Sequence, residues 1–126
     1  MTYILIVEDN LDNAEILSIY LQSQDLPIKH LPSGHNVLNL ITAQPPALIF
    51  MDINLPDNDG RVLCLMIKKR LGNMAPPIIV MTAGGDSCKS PAIAMGADVF
   101  LNKPFKAAQI FKLLETFIPA EEYNKE

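Results

Sequence analysis

Short, fully apolar runs alternate along the chain with stretches of helical period, and this alternation limits the fold more than any other feature. Tyr3–Val7, Ala47–Met51, Ile78–Met81 and the shorter Val99–Leu101 read as buried strands. Ile28–Leu31 is more polar and suits a sheet edge. Between them lie helix-period segments. Leu11–Gln24 puts Ala14, Leu17 and Leu21 on one face. Ser33 is placed to cap a helix running to about Gln44, with Val37, Leu40 and Ile41 inward. Arg61–Leu71 carries a stripe of Leu63, Ile67 and Leu71. Lys106–Ile118 turns Ala107, Ile110, Phe111, Leu114 and Phe117 or Ile118 inward. Asn54–Gly60 is rich in Asn, Asp, Pro and Gly and reads as a loop. Strands apolar on both faces require cover on both sides, so the expectation is an α/β fold with a parallel sheet between two helical layers. A βα unit repeated five times suits an open doubly wound sheet, whose common strand order is 2-1-3-4-5.

The length of 126 residues fits one domain, expected over residues 1–119, with 120–126 as a polar tail. The net charge of -4 disfavours binding to a phosphate backbone, and Lys68-Lys69-Arg70 reads as a solvated helix end. Cys64 and Cys88 make neither a disulfide framework nor a thiolate metal site, and both read as small core or surface residues. The apolar run at the N-terminus is too short for a signal peptide or a membrane span, so a soluble, cytoplasmic protein is expected.

In an open sheet of this kind, ligands bind beyond the carboxyl ends of the strands. Glu8 and Asp9 follow the first strand and Asp52 the third; Thr82 ends the fourth and Lys103 follows the fifth. In the order 2-1-3-4-5 those strands are neighbours, so the five side chains share one rim. Each alone has an ordinary reading: Asp9 or Asn10 as a helix cap, and Asp57 and Asp59 as turn and cap formers beside Gly60. Together, three carboxylates on one rim repel one another, and a hard divalent cation such as Mg²⁺ relieves that repulsion. Lys103 and Thr82 add an ammonium and a hydroxyl around Asp52, a set suited to a phosphoryl group. Asp52 then reads as a nucleophile that forms an acyl phosphate, with small residues from Ala83 to Gly85 leaving room for the donor.

With Ile6-Val7-Glu8-Asp9-Asn10, Met51-Asp52-Ile53-Asn54-Leu55-Pro56, Met81-Thr82-Ala83 and Lys103-Pro104-Phe105 in this order, the chain resembles the receiver domain of bacterial two-component response regulators, over about residues 2–118. The resemblance implies a flavodoxin-like (βα)5 fold. It implies that Glu8, Asp9, Asp52 and the Asn54 backbone carbonyl hold Mg²⁺. It also implies that Asp52 takes a phosphoryl group from a sensor histidine kinase or a histidine phosphotransfer protein, with Thr82 and Lys103 on the phosphoryl oxygens. Lys103-Pro104 resembles the family's cis peptide. Thr82 and Phe100 correspond to a switch pair that alters the face made by the helix after strand four, strand five and the last helix. Phe100 lacks the hydroxyl a tyrosine would offer. The resemblance makes the domain a phosphoacceptor and not an enzyme in its own right.

One departure is Pro91. Proline suits the first helical turn, so the helix after strand four is expected to start near Ser90-Pro91 and to be short. His30 and His35 are expected far from the rim, as surface residues.

Output is expected by contact with a downstream protein target, with a phosphorylation-dependent homodimer as one form, and without direct DNA or membrane binding. A receiver excised from a hybrid kinase or larger regulator is the alternative. An aspartyl-phosphate phosphohydrolase would need an acid–base Asp where Asn54 stands. A flavin-binding module would need a glycine- and hydroxyl-rich loop where Glu8-Asp9 stands. A receiver-like module that is never phosphorylated is disfavoured by the complete set Glu8, Asp9, Asp52, Thr82 and Lys103.

Overall fold

The computed structural model describes residues 2–22, 25, 27–83 and 96–118. They form β1 (Ile4–Val7), α1 (Leu11–Gln22), β2 (Ile28–Leu31), α2 (Val37–Ala43), β3 (Leu48–Asp52), α3 (Gly60–Leu71), a 3-10 turn (Gly72–Met74), β4 (Ile78–Thr82), β5 (Val99–Asn102) and α4 (Ala107–Phe117). The strands make one sheet in the order β2-β1-β3-β4-β5, parallel at every pairing. This is the doubly wound, flavodoxin-like architecture expected above. The helix expected near Ser90-Pro91, the residues Gly84, Gly85 and Cys88, and the tail from 120 to 126 lie outside the described residues.

Side chains alternate across a strand, and that alternation divides the core in two. Leu5, Val7, Ile49, Met51, Ile78 and Val80 point to one face and meet Val37 and Ile41 of α2 and Leu63, Cys64 and Ile67 of α3. Their neighbours Ile4, Ile6, Leu48, Phe50, Ile79 and Met81 point to the other and meet Ala14, Leu17 and Leu21 of α1 and Ile110 and Leu114 of α4. The central strands β1, β3 and β4 are therefore buried at every position. Each fully buried aliphatic side chain contributes about 1.5–3 kcal/mol, so the sheet is a rigid base on which its carboxyl-end rim is carried.

Three local expectations need correction. Ser33 is not the cap of α2: the helix starts at Val37 behind Asn36, which lies in the left-handed region at φ 67. The Ser33 hydroxyl instead accepts the His35 N–H at 3.3 Å, and the Asp57 carboxylate holds the Gly34 N–H at 2.8 Å. Helix α3 begins at Gly60, one residue early, because Asp59 caps it by accepting the Arg61 N–H at 2.8 Å. Strand β5 is not buried throughout; only Leu101 is, while Val99 and Phe100 are half-buried. As the last strand of the sheet, it pairs only with β4 among the described residues. No helix among the described residues is long and apolar enough to cross a membrane.

Candidate functional site

Strand register assembles the rim. Val7 pairs with Met51, so Glu8 and Asp52 are the next residues of adjacent strands. Asp52 pairs with Met81, and Thr82 with Asn102. The Lys103 N–H donates to the Thr82 carbonyl at 2.8 Å and extends that ladder by one residue. Glu8, Asp52 and Thr82 are the buried polar side chains among the described residues, at 1%, 4% and 1% exposure. Asp52 and Thr82 end strands that are otherwise all apolar, and Glu8 directly follows one.

Lys103 bridges the two buried carboxylates. Its Nζ lies 2.6 Å from Glu8 Oε1 and 3.2 Å from Asp52 Oδ2. The other Asp52 oxygen, Oδ1, accepts the Asn54 N–H at 3.2 Å, which folds the loop after β3 back over the carboxylate. Asp9 is exposed beside them, and one oxygen from each of Glu8, Asp9 and Asp52 falls within 4.8 Å of the others. The peptide between Lys103 and Pro104 is cis.

The electrostatics of this group are unbalanced. Three carboxylates face one ammonium, and Glu8 Oε2 is buried with no hydrogen-bond partner among the described residues. Burial, and then the adjacent Asp52 carboxylate, push the Glu8 carboxyl up to about 7, against the smaller opposing pull of Lys103. For Lys103, burial works to lower the ammonium, but Glu8 and Asp52 together outweigh it and raise it. An orphaned carboxylate oxygen beside two further carboxylates is a donor set that fits a hard, oxygen-seeking divalent cation. The exposed Asp9 leaves the group open to solvent on one side.

The raised Glu8 carboxyl has a definite sign. The folded protein holds this proton more tightly than the unfolded chain, so its contribution to stability is full below the ordinary carboxylate range. It is lost as pH rises through about 7. In EDTA, the wild-type protein is therefore expected to lose stability relative to Glu8→Gln between pH 5 and pH 8, as read by urea unfolding of both. A difference independent of pH would show that Glu8 is not strained when ionised.

Sequence reasoning missed Gly60. It lies at the start of α3, where its N–H donates to the Ile53 carbonyl at 2.8 Å. A Cβ there would meet the Asp52 carbonyl oxygen at 2.1 Å and the Asp52 carbonyl carbon at 2.9 Å. The backbone of the central carboxylate thus packs against a residue that must have no side chain. The visible signal was only Asp59-Gly60 at a loop end, which also suits any helix start. Gly60→Ala is expected to cost about 3 kcal/mol, since the obstruction is backbone and not a flexible side-chain tip. Urea unfolding checks this, and a loss under about 1 kcal/mol would show that α3 can back away freely.

The remaining candidates separate. Phe100 is half-buried against the core face shared with α2 and α3, opposite Val80 in register and below the rim. Cys64 is buried, and burial pushes its thiol up to about 12, so it behaves as a small core residue. Lys68, expected only as a solvated charge, pairs with Asp98 at 3.0 Å. His35 is exposed, as expected. His30 is not far from the rim. Although it is exposed, its Nε2 lies 2.7 Å from the Glu8 carbonyl oxygen. Parallel pairing of β2 with β1 carries the end of β2 to the first carboxylates.

Comparison with known proteins agrees with this geometry. A family model described as the response regulator receiver domain matches residues 4–115. The chain is 26% identical over 123 residues to the transcriptional regulatory protein GltR of Pseudomonas aeruginosa, covering 97% of this chain and 51% of that protein. Thus the chain spans about half the length of this curated relative. Among solved structures, a two-component response regulator from Clostridium difficile superposes with a TM-score of 0.83 at 28% identity, over 94% of this chain and 96% of that one. The receiver domain of the sensor histidine kinase PA1611 from Pseudomonas aeruginosa, with a magnesium ion coordinated in its active site cleft, gives 0.84 at 28% identity, over 93% of this chain and 97% of that one. Strand order, the acidic rim and the family match across nearly the whole chain converge: this chain belongs to the response regulator receiver domains.

Proposed function

We propose that the domain is a phosphoacceptor in which Asp52 takes a phosphoryl group from the phosphohistidine of a sensor histidine kinase or a histidine phosphotransfer protein. The observation that carries this reading is the Lys103 ammonium held between Glu8 and Asp52, at 2.6 Å and 3.2 Å, above a cluster of three carboxylates. In the transfer, an Asp52 oxygen forms the new P–O bond while the P–N bond of the donor breaks. The electron pair returns to the donor's imidazole nitrogen. Asp52 is the right acceptor because it is the central carboxylate of the rim and is held from both sides, by Lys103 at one oxygen and the Asn54 N–H at the other. Lys103 then moves its charge from the carboxylate to a phosphoryl oxygen, and the Thr82 hydroxyl takes another.

Glu8, Asp9, Asp52 and the Asn54 backbone carbonyl would hold Mg²⁺, which when bound offsets the negative charge gathered at the rim. The phosphoryl contacts of Thr82 and Lys103 exist in only one state of the domain, and that difference biases the position of Phe100 and the face around β5 and α4. Signal output is then contact with a downstream protein on that face. The domain works as a switch and not as an enzyme acting on an outside substrate.

The test is intact-mass measurement after incubation with acetyl phosphate. With Mg²⁺, one phosphoryl group is expected per chain; with EDTA, none. Failure to form an adduct in a protein shown by calorimetry to be saturated with Mg²⁺ would overturn the reading.

A further inference from the structure

We infer that His30 is a positioning residue for the acidic rim: its imidazole clamps the peptide between Glu8 and Asp9 and thereby sets where the exposed Asp9 carboxylate meets a divalent cation. The inference rests on the phosphoacceptor reading above and adds to it a residue from the outermost strand.

The backbone ladder between β1 and β2 ends with the Glu8 N–H donating to the Leu31 carbonyl at 3.0 Å. The Glu8 carbonyl on the next peptide is met by a side chain instead, with His30 Nε2 at 2.7 Å. A carbonyl oxygen only accepts, so Nε2 carries the proton and donates it. That peptide is the hinge between the first two carboxylates. Glu8 on one side of it is fixed already, walled in by the core and paired with Lys103. Asp9 on the other side is exposed. Rotation of the peptide plane would swing Asp9 out of the group whose oxygens lie within 4.8 Å of one another. A hydrogen bond to the oxygen of that peptide resists the rotation. Partners behind the ligands of a metal site commonly weigh about 10–100-fold in metal affinity.

The test is calorimetric titration of Mg²⁺ into the wild type, His30→Leu and His30→Gln. His30→Leu is expected to bind Mg²⁺ about tenfold more weakly. His30→Gln, whose amide N–H can replace the donor, is expected to recover most of that loss. The Mg²⁺ concentration that half-saturates phosphoryl uptake from acetyl phosphate should move with the affinity. Equal Mg²⁺ affinity in wild type and His30→Leu would sink the inference and leave the phosphoacceptor reading standing. A wild type that binds no Mg²⁺ at all would sink the phosphoacceptor reading itself. If His30→Leu does not fold, the wild type decides by nitrogen-15 magnetic resonance. A His30 Nε2 proton protected from water exchange supports the clamp, and one exchanging as fast as in free histidine overturns it.

Discussion

Asp52→Asn is expected to take up no phosphoryl group from acetyl phosphate and Mg²⁺ under conditions that convert the wild type fully, and to gain stability when metal is absent. The first half follows from chemistry, because an amide oxygen does not replace a carboxylate as nucleophile at this position. The second half follows from charge. Like charges about 4 Å apart repel by about 4 kcal/mol at the effective dielectric of a protein surface. Asp52 lies near Glu8, a buried carboxyl already pushed up to about 7 in part by that neighbour. The substitution removes this repulsion but also one of the two partners of Lys103. What remains is the single Glu8–Lys103 pair at 2.6 Å. The expected net gain is about 1 kcal/mol by urea unfolding in EDTA at pH 8. An Asp52→Asn protein that still gains a phosphoryl group would place the acceptor elsewhere on the rim, Asp9 first.

Lys103→Ala is expected to cost about 3–5 kcal/mol in metal-free protein at pH 8, the size seen when one member of a buried ion pair is removed. The ammonium is the cation in contact with both Glu8 and Asp52, whose side chains are 1% and 6% exposed. Without it, the Glu8 carboxyl rises further above its wild-type value of about 7. Below that range, Glu8 is neutral and needs no partner, so the cost should shrink toward pH 5 and grow as pH rises. Saturating Mg²⁺ should restore part of the loss at pH 8. Lys103→Met separates charge from packing, since it keeps most of the stem; a cost equal at pH 5 and pH 8 in both variants would assign the effect to packing. In signalling, Lys103→Ala should still accept a phosphoryl group in part but fail to switch. A phosphorylated variant showing the wild-type conformational change would remove Lys103 from the switch.

The parts of this molecule legible in the chain are those that depend on local pattern. The runs at Ile4–Val7, Leu48–Met51 and Ile78–Met81 are apolar on both faces, and only a sheet covered on both sides satisfies that. The positions of Glu8, Asp52, Thr82 and Lys103 at strand ends were readable for the same reason, since strand ends mark where apolar character stops. Less legible were features set by contact between distant segments. Ser33 looked like a cap by type, yet the turn at Asn36 and the Asp57 bond to Gly34 decide where α2 begins. Val99 and Phe100 looked buried by composition, yet their place in the outermost strand leaves them half-covered.

What the amino-acid order determined by itself was the layered fold and the set of residues standing at the carboxyl ends of its strands; the strand order expected was the common one for such sheets, and the structure has it. Hydrophobic period and strand count are local properties, and they admit few arrangements. Only the tertiary structure decided that Lys103 sits between Glu8 and Asp52, that Gly60 must leave space for the Asp52 carbonyl, and that His30 reaches the Glu8 peptide. Those relations join segments up to 95 residues apart, from Glu8 to Lys103 (103 − 8). They depend on strand register and backbone separations of a few ångströms, which no local pattern encodes.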